Sequence, residues 1–182
     1  MRAFDDLVRS GKVRYIGCSN YRALEVAYGV GVSKDLGLDR WVAAQNRWNL
    51  PDGLDSPELE QAAEFLGIGI VPYTPLASGI LTGKYRLNVE PEAGTRFADL
   101  PSIRSRLTGE KLAKAGKVDA WAKERGHSST DAAIGWLLAH PVVTSVIAGV
   151  RSPEQLTSNI KAAEWTLTSE ERDELSTLVA RL

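Results

Sequence analysis

The sequence predicts an α/β protein made of parallel strand–helix units, and three observations carry that prediction. Short apolar runs alternate with helical patterns. Three of the runs start 28 residues apart, at Val13 (VRYIGC), Trp41 (WVAAQ) and Gly69 (GIVPY). The runs are also apolar on both faces, as strands buried between helices are. A fourth, VVTSVIAG, starts at Val142 after a longer and less regular stretch. Such alternation pairs strands in parallel through right-handed crossovers. Two architectures meet it: an open doubly wound sheet, or part of a (β/α)8 barrel. A complete barrel takes about 250 residues; with 182 residues and four strands this chain holds about half of one.

The elements follow in order. A helix opens the chain in the amphipathic stretch MRAFDDLVRS. Residues 22–36 read as a weaker helix, because Gly29 and Gly31 interrupt it. Leu59, Ala62, Ala63 and Leu66 recur at helical spacing, with Ser56 as N-cap, Pro57 at the first helical position and Gly67 past the end. Residues 84–106 hold prolines, Gly94 and mixed charges and read as a long loop, mobile or functional at that length. Ile134, Leu137 and Leu138 form a stripe after the cap candidates Ser129 and Thr130. Ser152-Pro153-Glu154-Gln155 reads as a capping box ahead of Leu156, Ile160 and Ala163. Thr168-Ser169-Glu170-Glu171 is a second box, ahead of Leu175, Leu178, Val179 and Leu182.

Composition narrows the function. Hydrophobic residues are 43%, charged residues 25%, and 22 Lys+Arg oppose 23 Asp+Glu for a net charge of -1. That balance lacks the basic excess of a nucleic-acid or anionic-membrane surface. The single cysteine, Cys18, has no internal partner and reads as a small buried apolar residue of a reducing compartment. No apolar run reaches the roughly 20 residues of a membrane span, and the first residues lack a signal-peptide core. The expected location is the cytoplasm.

Parallel folds of both kinds bind ligands at the carboxyl ends of their strands. There the sequence collects Ser19 and Asn20, then Gln45, then Tyr73 through Gly79, then Gly149 and Arg151. Hydroxyl and amide groups suit a carboxamide, the Tyr73 ring offers a stacking face, and Arg151 precedes a helix N-terminus that favours an anion. Gln155 and Asn159 share a face of that helix. The competing reading of Ser19-Asn20 is a cap for the next helix. The two histidines, His127 and His140, have no second ligand at metal spacing. No P-loop, GxSxG elbow or GxGxxG motif is present.

Four blocks, GKVRYIGCSN, QNRWNL, GIGIVPYTPLASGILTGKY and IAGVRSPEQLTSNI, resemble consecutive blocks of the aldo-keto reductases. The branch they resemble includes bacterial aldo/keto reductases and potassium-channel β subunits. The resemblance covers nearly the whole chain. It implies a TIM (β/α)8 barrel of which residues 1–182 are a single partial domain, the fifth to eighth strands plus the C-terminal helix. Met1 then reads as an internal start, or the chain as a fragment of a longer one. The family reduces aldehydes and ketones by hydride transfer from NADPH.

Carried over to this sequence, the resemblance places Ser19, Asn20 and Gln45 on the nicotinamide carboxamide and Tyr73 against its ring. Thr74, Pro75, Leu76, Ser78 and Gly79, with the run ending at Lys84, match the loop over the pyrophosphate. Gly149 and Arg151 match the adenosine-phosphate segment, with Gln155 and Asn159 near the adenine. Thr74, Ala148 and Trp48 stand where Ser, Pro and Tyr are common in the family. The family's catalytic Asp, Tyr, Lys and His come from the first four units; no matching motif occurs here, and no catalytic residue or metal site is assigned. Tyr15 and Tyr28 are not candidates. The expectation is a cofactor-binding half that alone is a weak or inactive reductase, awaiting a small carbonyl substrate once completed. The alternative is a non-catalytic nucleotide-binding or interaction module that dimerises or docks through the sheet edges Val13–Cys18 and Val142–Ala148.

Overall fold

A computed structural model describes residues 1–180. Leu182, expected in the last helical stripe, lies outside the described residues. Helix α1 (Arg2–Arg9) leads to strand β1 (Ile16–Ser19), helix α2 (Ala23–Asp35) and strand β2 (Trp41–Gln45). A short hairpin, β3 (Trp48–Asn49) and β4 (Gly53–Leu54), precedes helix α3 (Leu59–Leu66) and strand β5 (Gly69–Ile70). A 3-10 stretch (Ala77–Thr82), helix α4 (Arg96–Asp99) and a second 3-10 stretch (Pro101–Arg106) follow. Helices α5 (Gly109–Glu124), α6 (Ser129–Leu138), α7 (Pro153–Ala162) and α8 (Ser169–Ala180) complete the chain.

The chain is a mixed α/β fold whose main sheet is parallel, in the order β1-β2-β5. The predicted first strand is shorter than its apolar run. Lys12 N and Val13 N both donate to Leu7 O, so the reversal after α1 uses Val13, and β1 starts only at Ile16.

The predicted fourth strand is a correction. Residues 142–147 lie beside β5 without forming a regular strand: Val143 bridges Ile70 and Ile147 bridges Tyr73. Ile70 N donates to Val142 O at 2.7 Å, Thr144 N to Ile70 O at 3.1 Å, and Ile147 N to Pro72 O at 2.8 Å. The next rung needs an N–H from residue 72; Pro72 has none, and the ladder breaks there.

Two caps also move. Ser56 does not cap α3, whose N-cap is Glu58; its hydroxyl accepts from Ala23 N, the first N–H of α2, at 3.2 Å. The cap of α6 is Ser128, which with Asp131 forms a reciprocal box. The predicted boxes at α7 and α8 form as Ser152 Oγ accepting from Gln155 N and as Thr168 paired both ways with Glu171. Gln155, however, turns its carbonyl oxygen to Arg151 N at 2.9 Å, one residue earlier than a full box requires.

The core runs from Val26 and Val30 on α2, through Ala44 and Ile70 on the sheet, to Leu59 and Ala63 on α3. Phe97, Val118, Trp121 and Leu137 extend it under the C-terminal helices. The glycines of α2 have a packing reason: a Cβ on Gly29 would overlap the Trp41 ring. His140 is buried between Trp48 and Trp136, with Nδ1 2.7 Å from Glu60 Oε1. The hydrogen bond from His140 holds the Glu60 carboxyl below its usual value.

Candidate functional site

Parallel pairing brings the tips of β1, β2 and β5 together. Ser19 is in register with Gln45, and its hydroxyl donates to Gln45 O at 3.0 Å. Asn20 takes a left-handed backbone (φ 60) and donates its own N–H to the same carbonyl at 3.0 Å. That turn aims the Asn20 side chain across the sheet, where Oδ1 accepts from the Tyr73 hydroxyl at 2.7 Å. Tyr73 N donates in turn to Asn46 O at 3.1 Å. Four sequence-predicted residues therefore form one cluster, with Ser19, Asn20 and Gln45 exposed and Tyr73 half-buried.

The capping alternative for Ser19-Asn20 fails. The N-cap of α2 is Arg22, whose N–H is held by Glu25 Oε2 at 2.8 Å.

After Tyr73 the backbone is strained. Thr74 (φ 55), Ala77 (φ 48) and Ser78 (φ 60) are all left-handed, a conformation costly for residues with a Cβ. Gly79 (φ 97) continues the run, and Lys84 folds back over it: a Cβ there would lie 3.1 Å from Lys84 Cε. Pro75 is buried and Leu76 half-buried, with Leu76 O accepting from both Gly79 N and Leu81 N. Thr74 Oγ1 and Asn49 Nδ2 are buried without a protein partner and line one cavity of about 10 Å³, room for a single water.

The segment beyond Ile147 carries the remaining residues. The Ile147–Tyr73 bridge aligns it with the tip cluster, so exposed Gly149 and Arg151 follow two and four residues past Tyr73's level. Arg151 Nη1 donates to Asp99 Oδ2 at 2.9 Å and Nη2 to Gly94 O at 3.0 Å. Asn159 is the outlier: it lines an apolar groove of about 350 Å³ with Leu156, Ile160 and Ile134.

Two partners of the site are not singled out by the sequence, although Asn46 stands at the end of the second apolar run. Asn46 is 2% exposed and donates Nδ2 to Tyr21 O at 3.1 Å, fixing the turn beside Asn20. Asp99 lies inside the stretch expected to be loop; only the Thr95 cap position and the short RFAD run marked a helix there. Cys18 is half-buried, and burial pushes its thiol up to about 11, so it is not a nucleophile at neutral pH. Among the described residues no group of three or more His, Cys, Asp or Glu side chains is placed to hold a metal ion.

The chemistry of this donor set fits a nicotinamide dinucleotide. Amide and hydroxyl groups at the tips suit a carboxamide, the Tyr73 ring is pinned at its hydroxyl rather than its face, and the Asp99 carboxylate already shows that the Arg151 guanidinium takes an oxyanion.

Comparison with known proteins agrees in kind. Residues 1–180 match the model of the Aldo/keto reductase family. An uncharacterized oxidoreductase of Bacillus subtilis (strain 168), YrpG, is 36% identical over 92% of this chain and 49% of its own length. A putative voltage-gated potassium channel subunit beta of Schizosaccharomyces pombe is 31% identical over 91% of this chain and 49% of its own. An L-glyceraldehyde 3-phosphate reductase of Escherichia coli (strain K12) is 32% identical over 85% of this chain and 46% of its own. The chain spans about half the length of these relatives.

Proposed function

The chain belongs to the aldo/keto reductase family, and from that membership we propose that it is the nicotinamide-binding half of an NADPH-dependent carbonyl reductase. In this reading it is the C-terminal half of a TIM barrel, a single partial domain; within 84–106, expected as a mobile loop, the 96–99 helix is docked through buried Phe97. The supporting observation is the cluster at three neighbouring strand tips, where Ser19, Asn20, Gln45 and Tyr73 are tied to one another by hydrogen bonds.

When bound, NADPH supplies a hydride to the carbonyl carbon of a small aldehyde or ketone. Ser19, Asn20 and Gln45 hold the carboxamide and so fix which face of the ring is presented. Tyr73 supports the other face, with its hydroxyl anchored to Asn20. Thr74, Pro75, Leu76, Ser78, Gly79 and Lys84 form the wall beside the pyrophosphate. Gly149 and Arg151 take the adenosine phosphate and Gln155 the adenine side; Asn159 joins them there only if the adenine reaches the apolar groove beside Leu156 and Ile160. The reading assigns none of these groups the proton donation to a developing alkoxide, so the chain alone is expected to be a weak or inactive reductase, orders of magnitude below a complete site. In this reading it works in the cytoplasm, with neither nucleic acid nor membrane as a partner.

Titration of NADPH against its own fluorescence tests the reading. Binding is expected, and Arg151→Ala is expected to weaken NADPH more than NADH, since only NADPH carries the 2′-phosphate. Equal losses would remove Arg151 from that role, and no binding at millimolar protein would remove the cofactor assignment.

The exposed apolar surface favours a second, compatible reading. Tyr15 (75% exposed) precedes β1 and Leu24 (81%) and Tyr28 (75%) lie on α2, while Ile147 (44%) lies on the other edge and Leu156 (49%) and Ile160 (60%) on α7. Both edges carry unpaired backbone groups, and such surfaces associate with other chains. Self-association through them predicts a dimer in light scattering; a stable monomer at high concentration would reject it.

A further inference from the structure

We propose that Asp99 is a specificity-determining residue: its carboxylate competes with a nucleotide 2′-phosphate for Arg151 and lowers the preference for the phosphorylated ligand. The inference rests on the reading of Arg151 as the adenosine-phosphate residue, and it adds the group that opposes that role.

The contact is a closed set. Arg151 Nη1 donates to Asp99 Oδ2 at 2.9 Å and Nη2 to Gly94 O at 3.0 Å, while Gly94 N donates to Asp99 Oδ1 at 3.2 Å. Gly94 has φ 79, the left-handed turn that lets one residue give its carbonyl to the guanidinium and its N–H to the carboxylate. Each terminal nitrogen of Arg151 thus gives one N–H to the 94–99 segment. These are the nitrogens a phosphate would take as a bidentate pair.

Asp99 is carried by a docked element. Phe97, two residues before it, is fully buried, meets the Tyr85 ring edge-on at 5.0 Å, and has its N–H 3.4 Å from the Tyr85 hydroxyl. Asp99 N and Ala98 N both donate to Thr95 O. A carboxylate held this way stays near Arg151 when a ligand arrives. A dianionic 2′-phosphate must displace it or sit beside its negative charge. A ribose 2′-hydroxyl can instead donate to it, the arrangement by which a carboxylate selects the unphosphorylated ligand. The pair therefore subtracts from phosphate preference and leaves adenine and pyrophosphate contacts untouched.

The size of the effect follows from exposure. The Arg151 and Asp99 side chains are 54% and 41% exposed, so solvent and salt screen them and the effect is about 1.5-fold to fivefold.

The experiment uses adenosine 2′,5′-bisphosphate and 5′-AMP, which differ only in the 2′-phosphate. Each is titrated by NMR or calorimetry into the wild-type chain, Asp99→Asn, Asp99→Ala and Arg151→Ala, with thermal melts confirming that each variant folds. Asp99→Asn keeps an oxygen for Gly94 N and removes only the charge. The expected result is a bisphosphate-to-AMP selectivity raised about 1.5-fold to fivefold in both Asp99 variants, chiefly through tighter bisphosphate binding with AMP binding unchanged or weaker, and with the bisphosphate gain shrinking at high salt. Selectivity unchanged or lowered by the Asp99 variants, while Arg151→Ala reduces it, would overturn the competition and leave the Arg151 reading standing. Selectivity insensitive to Arg151→Ala, or no binding of either nucleotide, would overturn both.

Discussion

Two glycines of α2 offer the same substitution on one helix with opposite expected outcomes. Gly29 is buried, and a Cβ added there would overlap Trp41 Cζ3 and sit 2.7 Å from Cη2 and 3.1 Å from Cε3. A Cβ on Gly31 meets nothing within 4 Å. In either position alanine gains about 0.8–1 kcal/mol of helix propensity. For Gly31→Ala that gain is the whole effect, so stability rises by up to about 1 kcal/mol. At Gly29 the ring is the first residue of β2, 6% exposed and held edge-on by Tyr21 at 5.2 Å, so it cannot swing into solvent without leaving the core. Overpacking of this kind costs about 1–3 kcal/mol, and Gly29→Ala is expected to be net destabilising by up to about 2 kcal/mol. Because the propensity gain is common to both, the gap between the two variants isolates the packing term of about 1–3 kcal/mol. Urea unfolding followed by tryptophan fluorescence measures it. Equal stabilisation of both variants would refute the claim that Trp41 packs on α2 at Gly29.

Three further outcomes follow from named contacts. Glu60 is held below its usual value of 4.5 by the hydrogen bond from His140, so its stabilisation is full above that value and fades as pH falls through its lower folded value; Glu60→Gln should flatten the fall in unfolding free energy below about pH 5, and an unchanged slope would discount the pair. The Cys18 thiol, pushed up to about 11 by burial, should alkylate slowly at pH 8 and faster toward pH 11; rapid labelling at neutral pH would show an accessible thiolate. Tyr73→Phe removes the 2.7 Å bond to Asn20 and should cost about 0.5–1.5 kcal/mol of stability with the stacking face kept, whereas Tyr73→Ala should also abolish detectable nucleotide binding; a Phe variant that loses binding as completely as Ala would place the hydroxyl, not the ring, at the ligand.

Much of the site was legible because parallel topology converts sequence order into spatial order. Once VRYIGC, WVAAQ and GIVPY are neighbouring strands, their following residues must meet at one end of the sheet, and the contacts among Ser19, Gln45, Asn20 and Tyr73 express that. What stayed hidden depends on single backbone groups. The fourth run was apolar enough for a strand, yet one missing N–H, at Pro72, stops its ladder. Ser56 had the composition of a cap for α3, but tertiary packing gave its hydroxyl to α2 instead. The hairpin at Trp48–Leu54 breaks no rule of composition; its sequence simply carries no alternation long enough to read.

The strained run after Tyr73 joins these local facts to function. Left-handed backbone at Thr74, Ala77 and Ser78 costs on the order of 1–3 kcal/mol per residue. A compensating constraint holds them: Ala77 N bonds Thr74 O, Gly79 N and Leu81 N both bond Leu76 O, and buried Ile80 and Leu81 lock the end of the turn in the core. The chain therefore spends folding energy to fix the shape of a loop at the strand tips, on the side where Tyr73 presents its ring. Energy stored beside a cluster of exposed hydroxyl and amide groups is what a preformed ligand wall requires, and relieving it is diagnostic. Ser78→Gly removes the Cβ penalty at φ 60, so it should raise stability while loosening the wall. A gain in melting temperature with weaker nucleotide binding is the signature of a loop shaped for a ligand; a gain in both would mean that the strain serves the fold alone.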